Sequence, residues 1–201
     1  LYQEELPQYY NKVITLDLNG KTISGTDTGT ASYALIENKG NLTITGNGKI
    51  TLSATNNRGW NAYSSTISTQ AGSTLTVENG TIEHLGGTDM AYAIDVLTNG
   101  NGGNVAVTIN GGTIVSAYRA IRQFLNSSTC LNELVVNGGT IESTTGNYAI
   151  FFQNANKYAN KGSIEINDGT VGKVYLYSYL SDSTELDIEI HAAAVEGVTA
   201  Y

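Results

Sequence analysis

One motif recurs six times along the chain, always in the same chemical order: an alternating apolar strand, an Asn/Gly turn, and a short strand closing on Ile or Val. Its copies read LDLNGKTI (Leu16 to Ile23), LTITGNGKI (Leu42 to Ile50), LTVENGTI (Leu75 to Ile82), VTINGGTI (Val107 to Ile114), LVVNGGTI (Leu134 to Ile141) and IEINDGTV (Ile164 to Val171). The closing residues stand at 23, 50, 82, 114, 141 and 171, so the intervals are 27, 32, 32, 27 and 30 residues. One order returning every ~30 residues is the signature of a solenoid, whose repeats bury their apolar faces only by stacking on each other. Hairpin sandwiches reverse direction and do not predict it.

Between the copies lies a looser strand: YALIEN (Tyr33 to Asn38), STIST (Ser65 to Thr69), AIDVLT (Ala93 to Thr98), AIRQFL (Ala120 to Leu125), AIFFQN (Ala149 to Asn154) and VYLYSYL (Val174 to Leu180). Each period therefore holds three short strands, and no stretch has the length and periodicity of a helix. LDIEI (Leu186 to Ile190) begins one more coil. Asn and Gly tolerate the left-handed conformation that a sharp strand-to-strand bend requires. Asn110, Asn137 and Asn167 share one turn position, where side-chain amides can hydrogen-bond along the stack. The expected fold is all-β: a right-handed, single-stranded parallel β-helix of about six coils, roughly 30 Å long at the usual strand spacing. Residues 1–12 are expected to cap the first coil and residues 13–201 to form one β-helix domain.

Charge narrows the partners. The net charge of −8 argues against nucleic acid and against anionic membrane surfaces, and no basic cluster could release phosphate counterions. No apolar run approaches the ~20 residues of a membrane-spanning helix, so membrane insertion is not expected. Cys130 is the only cysteine, which excludes an internal disulfide and a thiolate metal cluster, and it reads as a bystander. The chain shows no signal-peptide core and is read as part of a longer exported chain with neighbouring domains.

The LDLNGKTI opening, the NLTITGNGKI second coil and the repeated NGGTI turns resemble the β-helical domains of large surface or secreted proteins from gut and other anaerobic bacteria, within the pectate-lyase-like superfold. The likeness runs from about Val13 to Val171. It implies the fold and a secreted or cell-surface bacterial setting. The superfold holds polysaccharide lyases, glycoside hydrolases, carbohydrate-binding modules, adhesins and phage tailspikes, so the fold does not choose the activity.

Hydrolysis needs two carboxylates at a defined separation. Asp95 lies on a looser strand whose counterparts offer Glu37, Arg122, Phe151 and Tyr177, without the aspartate cluster that hydrolases of the superfold carry. Asp95 with Arg119 or Arg122 echoes the calcium-plus-base arrangement of the lyases, and an outward Asp–Arg pair on a solvated face is the simpler reading. His84 and His191 lie far apart, and no serine or cysteine has a histidine at motif spacing. The Gly-rich TNGNGGN (Thr98 to Asn104) lacks the carboxylates that calcium prefers. No cofactor and no metal site is expected.

Thirteen tyrosines stand against three phenylalanines and one tryptophan, a bias toward rings with a polar tip. In VYLYSYL, alternation sets Val174, Leu176 and Leu180 on one face and Tyr175, Tyr177 and Tyr179 on the other, with Phe151 one coil earlier on the same side. Such a row suits a sugar or a protein partner, or else stacks on its neighbours or on following structure. Trp60 projects from the insertion NNRGWNAY (Asn56 to Tyr63). The leading expectation is thus a non-catalytic, adhesin-like module that binds a polysaccharide or a host or cell-surface protein through Asp95, Arg122, Phe151, Tyr175, Tyr177 and Trp60. A calcium-dependent polysaccharide lyase and a rigid spacer are the alternatives.

Overall fold

The computed structural model describes residues 12–55, 62–86, 90–99, 102–127, 129–154, 161–178, 185–191 and 193–200. The expected cap at residues 1–12, apart from Lys12, lies outside these residues, as do Trp60, Tyr179 and Leu180.

Every strand pair in the described residues is parallel, as the repeat requires. The first coil is β1 (Val13–Asp17), β2 (Thr22–Asp27) and β3 (Tyr33–Asn38). The second is β4 (Asn41–Thr45), β5 (Lys49–Ala54) and β6 (Ser64–Thr69), and the third β7 (Thr74–Val77), β8 (Thr81–Gly86) and β9 (Ala91–Asn99). The fourth is β10 (Val105–Ile109), β11 (Thr113–Ser116) and β12 (Arg119–Asn126), and the fifth β13 (Leu131–Val136), β14 (Thr140–Ser143) and β15 (Tyr148–Asn154). In the sixth, β16 (Lys161–Ile166) is followed by one long strand, β17 (Thr170–Ser178). A last partial coil holds β18 (Glu185–Ile190) and β19 (Ala194–Ala200). First strands stack into a 7-stranded sheet; second and third strands form a 12-stranded sheet that turns through β17. The chain is a parallel β-solenoid of about six turns.

The core is a set of aliphatic rows running along the solenoid. Ile23, Ile50, Ile82, Ile114, Ile141, Val171 and Val195 are register partners in succession, so the closing residue of every motif copy stacks on the one before. A second row joins Ile36, Ile67, Ile94, Ile121, Ile150 and Val174 from the third strands. From Ile50 and Ile67 onward to Val171 and Val174 these side chains are at most 1% exposed. Each contributes roughly 1.5–3 kcal/mol by leaving water.

The turn between first and second strands divides its labour between two residue types. Glycine supplies the left-handed backbone: Gly80, Gly112, Gly139 and Gly169 have φ of 93°, 81°, 86° and 103°, and only Asn19 does so among described non-glycine residues. These glycines also stack closely, since a Cβ at Gly139 would lie 2.6 Å from the carbonyl oxygen of Gly112, and one at Gly169 2.7 Å from that of Gly139. The asparagines build the ladder instead. Asn167 Nδ2 donates to Asn137 Oδ1 at 2.9 Å, Asn137 Nδ2 to Asn110 Oδ1 at 2.9 Å, and Asn110 Nδ2 to both carboxylate oxygens of Glu78 at 3.1 Å. The ladder is directional, with every amide donating toward the first coils.

Candidate functional site

The outward residues of the third strands form one row along the solenoid: Glu37, Ser68, Asp95, Arg122, Phe151 and Tyr175. The register runs without a shift from Arg119 to Asn126. At Phe151 the partner is Tyr175 rather than Tyr177, which pairs with Gln153. Corner length is the reason. Seven residues separate Ile114 from Ile121 and nine separate Ile141 from Ile150, whereas only three separate Val171 from Val174. The sixth coil passes its corner at Gly172–Lys173 without leaving the strand, and the register shifts between Tyr148 and Ile150 to accommodate it.

Asp95 and Arg122 meet, but not on a solvated face. The Arg122 Nε donates to Asp95 Oδ1 and an Arg122 terminal nitrogen to Asp95 Oδ2, both at 2.7 Å, with the side chains 5% and 0% exposed. Rings close over the guanidinium, whose Cζ lies 4.4 Å from the centroid of Tyr92, 4.7 Å from Phe124 and 5.2 Å from Tyr63. This corrects the expectation of an exposed pair: ring cover from three coils removes water from positions that alternation assigns to the outside. Burial alone would lower the Arg122 proton affinity; the Asp95 carboxylate more than offsets this and holds it above its ordinary value. Both partners are consumed by each other, and a guanidinium so held cannot take a proton near neutral pH. Arg119, the other candidate base, is buried with its Cζ 4.0 Å from the Phe151 centroid and 5.0 Å from that of Tyr118.

Next to this pair the face is aromatic. Tyr148 and Tyr175 stack at 4.4 Å, Phe151 and Tyr175 at 5.7 Å, and Tyr175 and Tyr177 at 6.2 Å, with interplanar angles of 12°, 6° and 16°. Phe151 is buried at 5% exposure, while Tyr148, Tyr175 and Tyr177 are half-buried. Tyr148 and Phe151 of the fifth coil meet Tyr175 of the sixth, and Tyr177 follows two residues along β17, so the rings cover part of one another's faces. At the other end of the same face, Tyr33, Glu37, Tyr63, Ser68 and Gln70 enclose a depression of about 210 Å³. Gln70 Nε2 donates to the buried Ser68 Oγ there at 2.6 Å.

Sequence spacing gave no sign of one further cluster. At the corner between second and third strands, Ser64 Oγ donates to Asp27 Oδ2 at 2.7 Å and lies 3.0 Å from His84 Nε2. All three residues are buried. The order is wrong for a nucleophile, because the serine proton goes to the carboxylate and the imidazole must donate rather than accept. This line of contacts ties three coils together at a corner.

Among the described residues, no group of three or more His, Cys, Asp or Glu could hold a metal ion, and no helix is long and apolar enough to cross a membrane. Comparison with known proteins found no family model, no curated protein and no solved structure that matches this chain.

Proposed function

We propose that this solenoid is a non-catalytic, adhesin-like binding module of a secreted or cell-surface bacterial protein, and that it binds a glycan along the outward face of its third strands. The observation that carries this reading is the half-buried row Tyr148, Tyr175 and Tyr177. Rings with hydroxyl tips, set on a rigid sheet, offer sugars apolar edges and hydrogen bonds with little loss of side-chain freedom on binding. The pocket of Tyr33, Tyr63, Glu37, Ser68 and Gln70 adds the mixture of aromatic, amide, hydroxyl and carboxylate groups that recognises polyols. The setting rests on the resemblance of the NGGTI-type repeat to bacterial β-helical domains.

The lyase alternative needs a base and a calcium-binding acid open to substrate, and its two groups are instead locked in a buried bidentate pair. The test is retention of the protein on immobilised polysaccharides, compared with the Tyr175→Ala/Tyr177→Ala double variant. Loss of retention in a variant with an unchanged circular dichroism spectrum supports the reading, and equal retention overturns the role of the row.

A further inference from the structure

A groove of about 380 Å³ opens beside the aromatic row, over the outer face of β14, β17 and β19. Its origin is the difference in corner length. The fifth coil bulges outward through residues 144–147, and the sixth turns tightly at Gly172, leaving a step between them. One residue past the paired Ile141, Val171 and Val195 come Glu142, Gly172 and Glu196. The two glutamates thus flank a glycine floor, their Cα atoms about 10 Å apart at two strand spacings. A Cβ at position 172 would lie 3.1 Å from the buried Ala149 Cβ, tighter than an ordinary contact, and at ordinary contact distance, 3.8 Å, from Glu196 Oε2. Asn147 and Ser143 line the corner side, and Asn147 leads directly into Tyr148.

Resting on the glycan-binding reading above, we propose that this groove is a sugar subsite selective for neutral, hydroxyl-rich glycans and closed to uronates. Charge decides the selectivity. Two carboxylates face one ammonium, and that ammonium is already engaged: Lys173 Nζ donates to the Gly146 carbonyl at 3.2 Å and lies 3.7 Å from Glu196 Oε1. A uronate carboxylate would meet repulsion, on a protein whose net charge is −8. Sugar hydroxyls, in contrast, are donors for which carboxylates are the strongest acceptors. Chemistry also separates sugars from peptides. The groove lies on the face of a sheet in which Thr140 and Ile141 pair with Thr170 and Val171, and these with Ala194 and Val195, so those main-chain groups offer no open edge to a peptide strand. Recognition there falls to side-chain oxygens and nitrogens.

The test is isothermal titration with neutral gluco- and manno-oligosaccharides and with oligogalacturonate, on the native chain, on Glu142→Gln/Glu196→Gln and on Tyr175→Ala/Tyr177→Ala. The proposal expects a neutral oligosaccharide to bind, oligogalacturonate not to bind, and the glutamine variant to weaken binding at least about tenfold, the loss of one charge-assisted hydrogen bond. If neutral binding survives the glutamine variant but not the tyrosine variant, the glycan reading stands and the groove assignment falls. Binding of oligogalacturonate alone overturns the groove selectivity while leaving a glycan ligand. Binding of none overturns both.

Discussion

Replacing Gly139 by alanine tests the stacked turn that sets the coil spacing. Its φ of 86° lies in the left-handed region, which costs an L-residue with a Cβ about 1–2 kcal/mol. The added Cβ would also lie 2.6 Å from the Gly112 carbonyl oxygen, 2.9 Å from the Gly111 carbonyl carbon and 3.2 Å from the Gly111 Cα, all backbone atoms that cannot swing aside. Relief requires the coils to part locally, at the expense of the bonds from Thr140 N to Gly112 O and from Thr170 N to Gly139 O, each 2.9 Å. Each such bond contributes about 0.5–1.5 kcal/mol. The expected loss is therefore about 2–5 kcal/mol. Gly146 is the control: its φ is 72°, and a Cβ there would meet nothing within 4 Å, so Gly146→Ala should cost only the conformational part, about 1–2 kcal/mol. Urea denaturation followed by far-ultraviolet circular dichroism compares the two. Amide exchange at Thr140 and Thr170 guards against loss of one coil before the whole, to which stacked repeats are prone. Equal destabilisation by Gly139→Ala and Gly146→Ala would refute the close-stacking argument.

Further predictions follow from the site. Arg122→Ala should destabilise the solenoid by about 3–5 kcal/mol because it strands a buried carboxylate, while Asp95→Leu/Arg122→Leu should cost clearly less; a double-mutant cycle by denaturation measures the difference. Asn137→Asp should be more damaging than Asn137→Ala, since aspartate can accept from Asn167 but opposes the Asn110 carbonyl oxygen, and melting temperatures of the two variants decide it. Burial raises the phenol pKa of Tyr92 and of Tyr63, with Arg122 pulling both back down in part. The folded state then holds these protons more tightly than the unfolded chain. Their contribution is complete below the ordinary phenol range, near pH 10, and stability falls as the pH rises through the folded values. Absorbance at about 295 nm should show tyrosines that ionise only with unfolding, whereas a single ionisation near pH 10 without unfolding would contradict this.

Much of the fold was legible because one period governs it. The closing residues from Ile23 to Val171 could be aligned by eye, and they stack in that order in space. Asn110, Asn137 and Asn167 likewise announced their ladder. Where corners vary in length, the period stops informing. Tyr175 rather than Tyr177 faces Phe151 because the sixth coil spends three residues where the fifth spends nine. Alternation alone assigned Asp95 and Arg122 to solvent, whereas Tyr63, Tyr92 and Phe124, from three different coils, exclude it. The Asp27–Ser64–His84 line was invisible for a related reason: its members are 37 and 20 residues apart and meet only through stacking. The groove at Glu142 and Glu196 is a step between two unequal coils, a property of neither coil by itself.

The most direct test of a glycan-binding solenoid is affinity electrophoresis through native gels cast with neutral glucan, mannan or xylan and, separately, polygalacturonate, each with calcium and with chelator. The account predicts retardation by at least one neutral polysaccharide, unaltered by chelator, and free migration through polygalacturonate. Unchanged mobility in every gel would contradict it and leave the aromatic row as a structural ladder alone.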